Sequence, residues 1–275
     1  MIDPQINTDV SWIHDLNFVL SYGDRVAPRG MDVLESLAYQ SIVDMNDPII
    51  FNQERKLGYK FMAAEAAWIL DGKNDVASIS PYSKEISRFS DDGETFFGAY
   101  GPPLQEQYNY VTRTLMDDVD SRQAVATIWR QNPVPTKDVP CTVALQWLIR
   151  DSKIHCVATM RSSDLWLGHP YDVFNFSAVS FAIMLKLNYY FSHKGKWPLK
   201  LGKLFLTAGS KHIYAKNVEA CQGIVEDLLV NQNSFIRPGK SPFDVTRYDS
   251  ADEFVQDLWD AANSTDGALS LLRGD

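Results

Sequence analysis

The sequence predicts an α+β domain, on three observations. Helical and extended patterns alternate along its 275 residues without a regular strand–helix–strand rhythm. Neither a GxGxxG turn nor a P-loop occurs, which argues against a doubly wound sheet. The 45% hydrophobic content, with 7 Trp, 12 Tyr and 14 Phe, is enough for one substantial core or two smaller ones. There is no internal repeat and no low-complexity linker, so a single domain over 1–275 is expected.

Each element follows from local pattern. Asp9 to Leu20 reads as an amphipathic helix with Ile13, Leu16, Val19 and Leu20 on one face. Val33 to Met45 reads as extended. Lys60 to Leu70 is an Ala-rich helix stopped by Asp71-Gly72. Ser78 to Pro103 is polar and irregular, punctuated by Gly93, Gly98 and Gly101. Gln107 to Met116 returns to helix, and Ala124 to Trp129 reads as a strand. Thr142 to Ile149 and Ile154 to Met160 form a hairpin closed at Asp151-Ser152. Asp172 to Phe191 is a long helix, apolar almost all round and therefore central. Leu204 to Thr207 is a short strand, Val218 to Leu229 a helix, and Asp252 to Ala262 a last amphipathic helix.

Composition excludes several classes. A net charge of -9 argues against a general nucleic-acid binder, though buried arginines can still hold an anionic small substrate. The cysteines Cys141, Cys156 and Cys221 form no CxxC pair, so no metal site and no disulfide framework are expected, and a reducing cytoplasm fits. Met1 to Asp9 holds no apolar core of a signal peptide. The apolar run from Ala178 to Leu187 is too short to span a bilayer.

Chemistry concentrates between Pro140 and Asp172. Taken alone, Cys141 is better explained as a small buried hydrophobe than as a nucleophile. Its company reverses this: Gln146, then Met160-Arg161-Ser162-Ser163-Asp164, then Leu167-Gly168-His169-Pro170-Tyr171-Asp172. This block resembles the thymidylate synthase superfamily, closest to its phage deoxycytidylate hydroxymethylases. The likeness runs from about Arg29 to Asn217; after about residue 230 the chain diverges. The resemblance implies a mixed sheet flanked by helices and a homodimer formed by sheet-on-sheet packing. It implies a one-carbon transfer from 5,10-methylenetetrahydrofolate to C5 of a pyrimidine nucleotide.

The resemblance assigns roles. Cys141 matches the thiol that attacks C6, its thiolate stabilised by nearby arginines. Glu65, an acid in an apolar helical stretch, matches the glutamate that manages protons at the base; taken alone, an exposed helix carboxylate explains it as well. Tyr100 matches a tyrosine of the water network near C5. Arg29, Arg161 and Ser162 match phosphate ligands, with Arg122 given across the dimer interface, and Asp164 and Gln146 match further substrate contacts. Gln123 follows Arg122 where most synthases carry a second arginine. His212 and Tyr214, two apart on an extended segment, share one face and match the pair that holds the 3'-hydroxyl. Arg55 or Lys56 occupies a basic position that meets folate.

Asp172 stands where the synthases carry Asn. Uracil offers an N3–H donor and an O4 acceptor; cytosine reverses the pattern, and a carboxyl accepts from N4 and shares a proton with N3. The competing explanation is a helix N-cap. The segment Ile79 to Lys84 lacks the tryptophan with which synthases shield the C5 methylene, and Leu271 to Asp275 is unlike their closing tail. Both departures favour capture of water and a hydroxymethyl product. The expected activity is dCMP hydroxymethylation in a cytoplasm, the host's if the chain is phage-encoded. A dCMP methyltransferase, a CMP hydroxymethylase and a non-catalytic nucleotide or RNA binder remain open.

Overall fold

In a computed structural model of the chain, residues 7–195, 198–230 and 241–274 are described. The architecture is one mixed six-stranded sheet with helices packed on it. In chain order the elements are α1 (Thr8–Tyr22), β1 (Asp24–Val26), β2 (Val33–Asp44), α2 (Tyr59–Leu70), α3 (Val76–Ile79), α4 (Gly101–Asp117), β3 (Val125–Thr127), β4 (Thr142–Arg150), β5 (Lys153–Asp164), α5 (His169–Ser192), β6 (Lys200–Tyr214), α6 (Val218–Val230), α7 (Ala251–Asn263) and α8 (Gly267–Arg273). The sheet order is β1-β2-β6-β5-β4-β3. Every pairing is antiparallel except β5 with β6. A parallel pair needs a crossover, and α5 provides it.

That one crossover positions the site. The carboxyl ends of β5 and β6 and the N-terminus of α5 meet at one edge of the sheet. The antiparallel β4 begins at the same edge, so Cys141, just before Thr142, arrives beside Arg161. The hairpin between β4 and β5 closes at the far edge, with Asp151 at φ 50° and Ser152 at φ 57°. Two successive left-handed residues match the right-handed twist of the strands.

Helix α5 is buried along most of its length, as its apolar sequence requires, and its polar side chains are satisfied internally. Ser180 Oγ donates to Phe176 O at 2.7 Å and accepts from Trp147 Nε1 at 2.9 Å. Helix α1 is capped by Asn7, which accepts from Val10 N at 2.9 Å, and Trp12 Nε1 ties it to Leu165 O at 2.7 Å. Helix α2 ends at Gly72, φ 69°, where a side chain would be strained.

Several boundaries differ from the sequence expectation. Helix α4 starts at Gly101 rather than Gln107, because Pro102 and Pro103 fall in its first turn, where no N–H is needed. The segment 78–103 contains two short helical turns, Val76–Ile79 and Ile86–Phe89. Strand β6 runs fifteen residues, well beyond Leu204 to Thr207, because it is paired on both sides and its polar end enters the site. Helix α5 begins at His169 with Gly168 at the cap position, so Asp172 lies inside the first turn and is not the N-cap. No helix among the described residues is long and apolar enough to cross a membrane.

Candidate active site

A cavity of about 410 Å³ opens at that sheet edge, lined by α2, the 96–100 segment, the 137–141 loop, the ends of β5 and β6, and the start of α5. It gathers Arg29, Glu65, Tyr100, Cys141, Arg161, Ser162, Asp164, Asp172, His212 and Tyr214, ten of the fourteen site residues expected from sequence.

Cys141 sits in a loop held from two sides. Arg161 Nε donates to Pro140 O at 2.9 Å and its Nη2 to Val139 O at 2.9 Å, leaving Nη2 3.6 Å from Cys141 Sγ. The guanidinium thus orients the thiol as well as facing it. Burial nevertheless raises the thiol above its ordinary value; Arg161 opposes the rise, and the carboxyls of Asp172, Asp138 and Asp164 add to it. The expected stabilisation of the thiolate by arginine is thus opposed by burial. One arginine does not outweigh desolvation and three acids.

Glu65 projects from α2 among alanines, where burial lifts its pKa to about 7. Its one opposing contact is Asn175, whose Nδ2 donates to Oε2 at 2.8 Å. Asp172 is pushed higher, to about 8, by burial and by the facing Glu65, with Lys211 pulling the other way. At neutral pH Asp172 is thus a carboxylic acid that can donate as well as accept. Tyr100 is held well above its usual value by burial and by Asp172 and Cys141, so it stays a phenol, stacked 6.3 Å from the Phe176 ring. Asp164 Oδ1 accepts from Trp166 N at 2.8 Å and Leu167 N at 3.0 Å, which fixes the turn into α5.

At the mouth, Arg29 is exposed on a turn with φ 55°, and Arg161 and Ser162 lie near the end of β5, before Asp164. The rings of His212 and Tyr214 meet edge-on at 5.2 Å, on the shared face expected of them. Buried His212 Nδ1 and Asn175 Oδ1 have no hydrogen-bond partner among the described residues. Both residues line the cavity, so a polar ligand can satisfy them.

Four expected residues are not brought to this cavity. Gln146, expected as a substrate contact, does not line this cavity. It points away from the core-facing Leu145 and Trp147, and its Nε2 donates to Arg122 O at 2.8 Å. Arg122 is exposed before β3, away from the cavity of its own chain. Arg55 Nε donates to Trp166 O at 2.6 Å and its guanidinium lies 5.2 Å over that ring, so it braces the 164–168 turn. Lys56 occupies a left-handed turn position, φ 50°, outside the lining.

The structure also adds residues. Asn175 is an amide in the apolar first half of α5, three residues after Asp172 and so on the same face. Trp68, one turn beyond Glu65, lines the cavity. Asp138 Oδ2 accepts from Gly98 N at 2.7 Å, and a Cβ on Gly98 would lie 2.5 Å from Asp138 O. The 137–141 loop can approach only a glycine there, a pairing across forty residues that no local pattern signals.

Residues 12–235 match the thymidylate synthase family. The chain is similar to a deoxyuridylate hydroxymethyltransferase of Bacillus phage SP01, 29% identical over 238 residues, covering 78% of this chain and 58% of that relative's length. It is also similar to a thymidylate synthase of Bacillus atrophaeus, 25% identical over 179 residues, covering 60% of this chain and 74% of that protein. With a thiol, four raised carboxyls and a basic mouth in one cavity, and with the family match spanning most of the sequence, the chain belongs to the thymidylate synthase family.

Proposed function

We propose that the protein is a folate-dependent one-carbon transferase that hydroxymethylates C5 of dCMP. The observation that carries the choice of base is Asp172, a carboxyl protonated at neutral pH and facing Cys141 and Glu65 across one cavity. Cytosine presents an acceptor at N3 and a donor at N4, and a carboxylic acid offers the matching O–H and C=O. The pairing also serves the chemistry. When the Cys141 thiolate adds to C6, N3 becomes more basic, and a carboxyl can surrender its proton there, which an amide cannot.

The remaining residues have consistent tasks. Arg29, Arg161 and Ser162 would hold the phosphate, with Arg122 of a second copy completing the cradle if the half-open sheet face, where Leu37 is 72% exposed, forms a dimer. His212 and Tyr214 would hold the sugar. Methylenetetrahydrofolate supplies the one-carbon unit to the nucleophilic C5. Glu65 and Tyr100 lie where they can move protons between that carbon and water. Water capture rather than hydride transfer is supported at the 78–89 segment. Tyr82 turns away to donate to Asn263 Oδ1 at 2.7 Å, while Ile86 and Phe89 face the cavity, with no indole from this segment over it. Arg55 is engaged with Trp166 O, so folate contact would fall to Lys56, or to Arg55 once it leaves that carbonyl.

The test is to incubate the protein with methylenetetrahydrofolate and equal amounts of dCMP, CMP and dUMP, and to weigh the products. Gain of CH2O on dCMP alone is expected. Gain of CH2 would assign methyl transfer, and product from dUMP alone, the substrate in the phage relative's name, would sink the Asp172 argument. Asp172→Asn should move the dCMP to dUMP preference by roughly 10²-fold towards uracil. Cys141→Ala should abolish turnover, by at least ~10³-fold, while retaining nucleotide binding; unchanged function in that variant would mean a binding protein.

A further inference from the structure

A buried polar cluster lies directly behind the cavity floor and has no part in the chemistry described so far. Lys211 is on β6, in register with Ser163 of β5 on one side and Ser36 of β2 on the other. It is fully buried, with Nζ 2.9 Å from His169 Nδ1 and 3.4 Å from Ser163 Oγ. Ser163 lines the cavity, and His169 precedes Asp172 by three residues on the same face of α5. Burial and the charge on Lys211 keep His169 far below its usual pKa. Its Nδ1 is therefore free to accept from the ammonium, and the ring carries its proton on Nε2.

A buried ammonium is costly unless negative charge faces it. Burial lowers Lys211 to about 8, and the groups that resist this are Asp15 from α1 and Asp172 from α5. Asp15 is itself fixed, accepting from Tyr39 Oη at 2.8 Å and from Ser41 Oγ. Asp172 in turn is faced by Glu65 from α2, Asp164 at the end of β5, and Tyr100 and Cys141 on the cavity wall, together with Lys211. Among the described residues, Lys211 is the cation that acts on Asp172.

We propose that Lys211 is a positioning residue, whose buried ammonium stabilises the carboxylate that Asp172 becomes when it gives its proton to N3 of the base. The proposal rests on the cytosine reading above. In the step concerned, the Cys141 sulfur forms a bond to C6. The C5=C6 electron pair moves to C4–C5, the C4=N3 pair moves to N3, and N3 takes the Asp172 proton. The O–H pair stays on Asp172, so one negative charge passes from sulfur to that carboxylate. Lys211 attracts the carboxylate more strongly than the neutral acid. Its contribution therefore grows as the adduct forms, which accelerates the step rather than tightening ground-state binding.

The test uses Lys211→Gln, which removes the charge but keeps an N–H for His169, beside Lys211→Met. For dCMP, kcat should fall by roughly 10- to 100-fold with KM changed only a few-fold. In the free protein, the 13C titration of the Asp172 carboxyl, identified by its loss in Asp172→Asn, should move to higher pH by about one unit in Lys211→Gln. An unmoved titration, a loss expressed through KM alone, or failure of both variants to fold would each overturn the proposal and assign Lys211 to the scaffold. Failure of the functional reading is separately visible, because wild-type protein would then make no product from dCMP, whereas the carboxyl titration needs no substrate.

Discussion

At the residue scale, the surroundings of ordinary side chains shift their proton affinities. Glu65 and Asp172 are ordinary acids, lifted to about 7 and about 8 because burial removes the water that would stabilise their charge. Asn175 sets how far Glu65 rises, since an N–H donated to the carboxylate favours the ionised form. Asn175→Leu should therefore raise Glu65, and the limb of the kcat/KM profile near pH 7 should shift to higher pH. A profile unchanged by that substitution would remove Glu65 as the group reporting there. Cys141 follows the same physics in the opposite sense for catalysis. Its burial holds the thiol protonated, and the arginine that orients it is insufficient alone to ionise it.

At the element scale, the β4–β5 hairpin and the β5–α5–β6 crossover bring the chemistry to one edge. The hairpin sets the register that puts Thr142 opposite Met160, and so Cys141 beside Arg161. Its turn carries two non-glycine residues in left-handed conformations, Asp151 and Ser152. The double substitution Asp151→Asn, Ser152→Gly should stabilise the protein by about 0.5–1 kcal/mol in chemical denaturation, without changing turnover. A loss of stability would mean that the turn is held by contacts other than its backbone preference. The predicted hairpin, the α2 helix and the central α5 were all legible, because each depends on local signals: alternation, an Ala-rich stretch with a glycine stop, and an apolar run. The start of α4 and the full length of β6 were not. The first turns on where two prolines fall, the second on pairing with strands distant in sequence.

At the scale of the whole molecule, burying these acids makes stability depend on pH. Both have folded-state pKa values above their unfolded values, so the folded state binds more protons. The stability this confers is present below about pH 4 to 5 and is lost as pH rises through about 7 and 8. His169 runs oppositely, since burial lowers its pKa and it costs stability as pH falls through its unfolded value. The clean observable is therefore a difference. Relative to wild type, Glu65→Gln should gain up to about 3 kcal/mol in unfolding free energy on going from pH 5 to pH 8. Parallel stability curves for the two proteins would show that folding does not raise the pKa of Glu65.

The residue types of the site and the order of most elements were determined by sequence alone. Cys141, Arg161-Ser162 and Asp172 lie in one short block, and His212 and Tyr214 share a strand face by simple alternation. What only the tertiary structure decided is which groups meet and what charge they carry. Gln146 was expected at the substrate and instead holds the Arg122 carbonyl, because strand parity turned it away from the cavity. Arg55 was expected at folate and instead braces the Trp166 turn. Asn175 and Lys211 acquire their importance from elements folded against them: α2 sets Glu65 beside one, and α1 and α5 place acids around the other. The physical reason is the same in each case. Local pattern specifies backbone and side-chain parity, whereas desolvation and electrostatic coupling are properties of a packed interior assembled from distant parts of the chain.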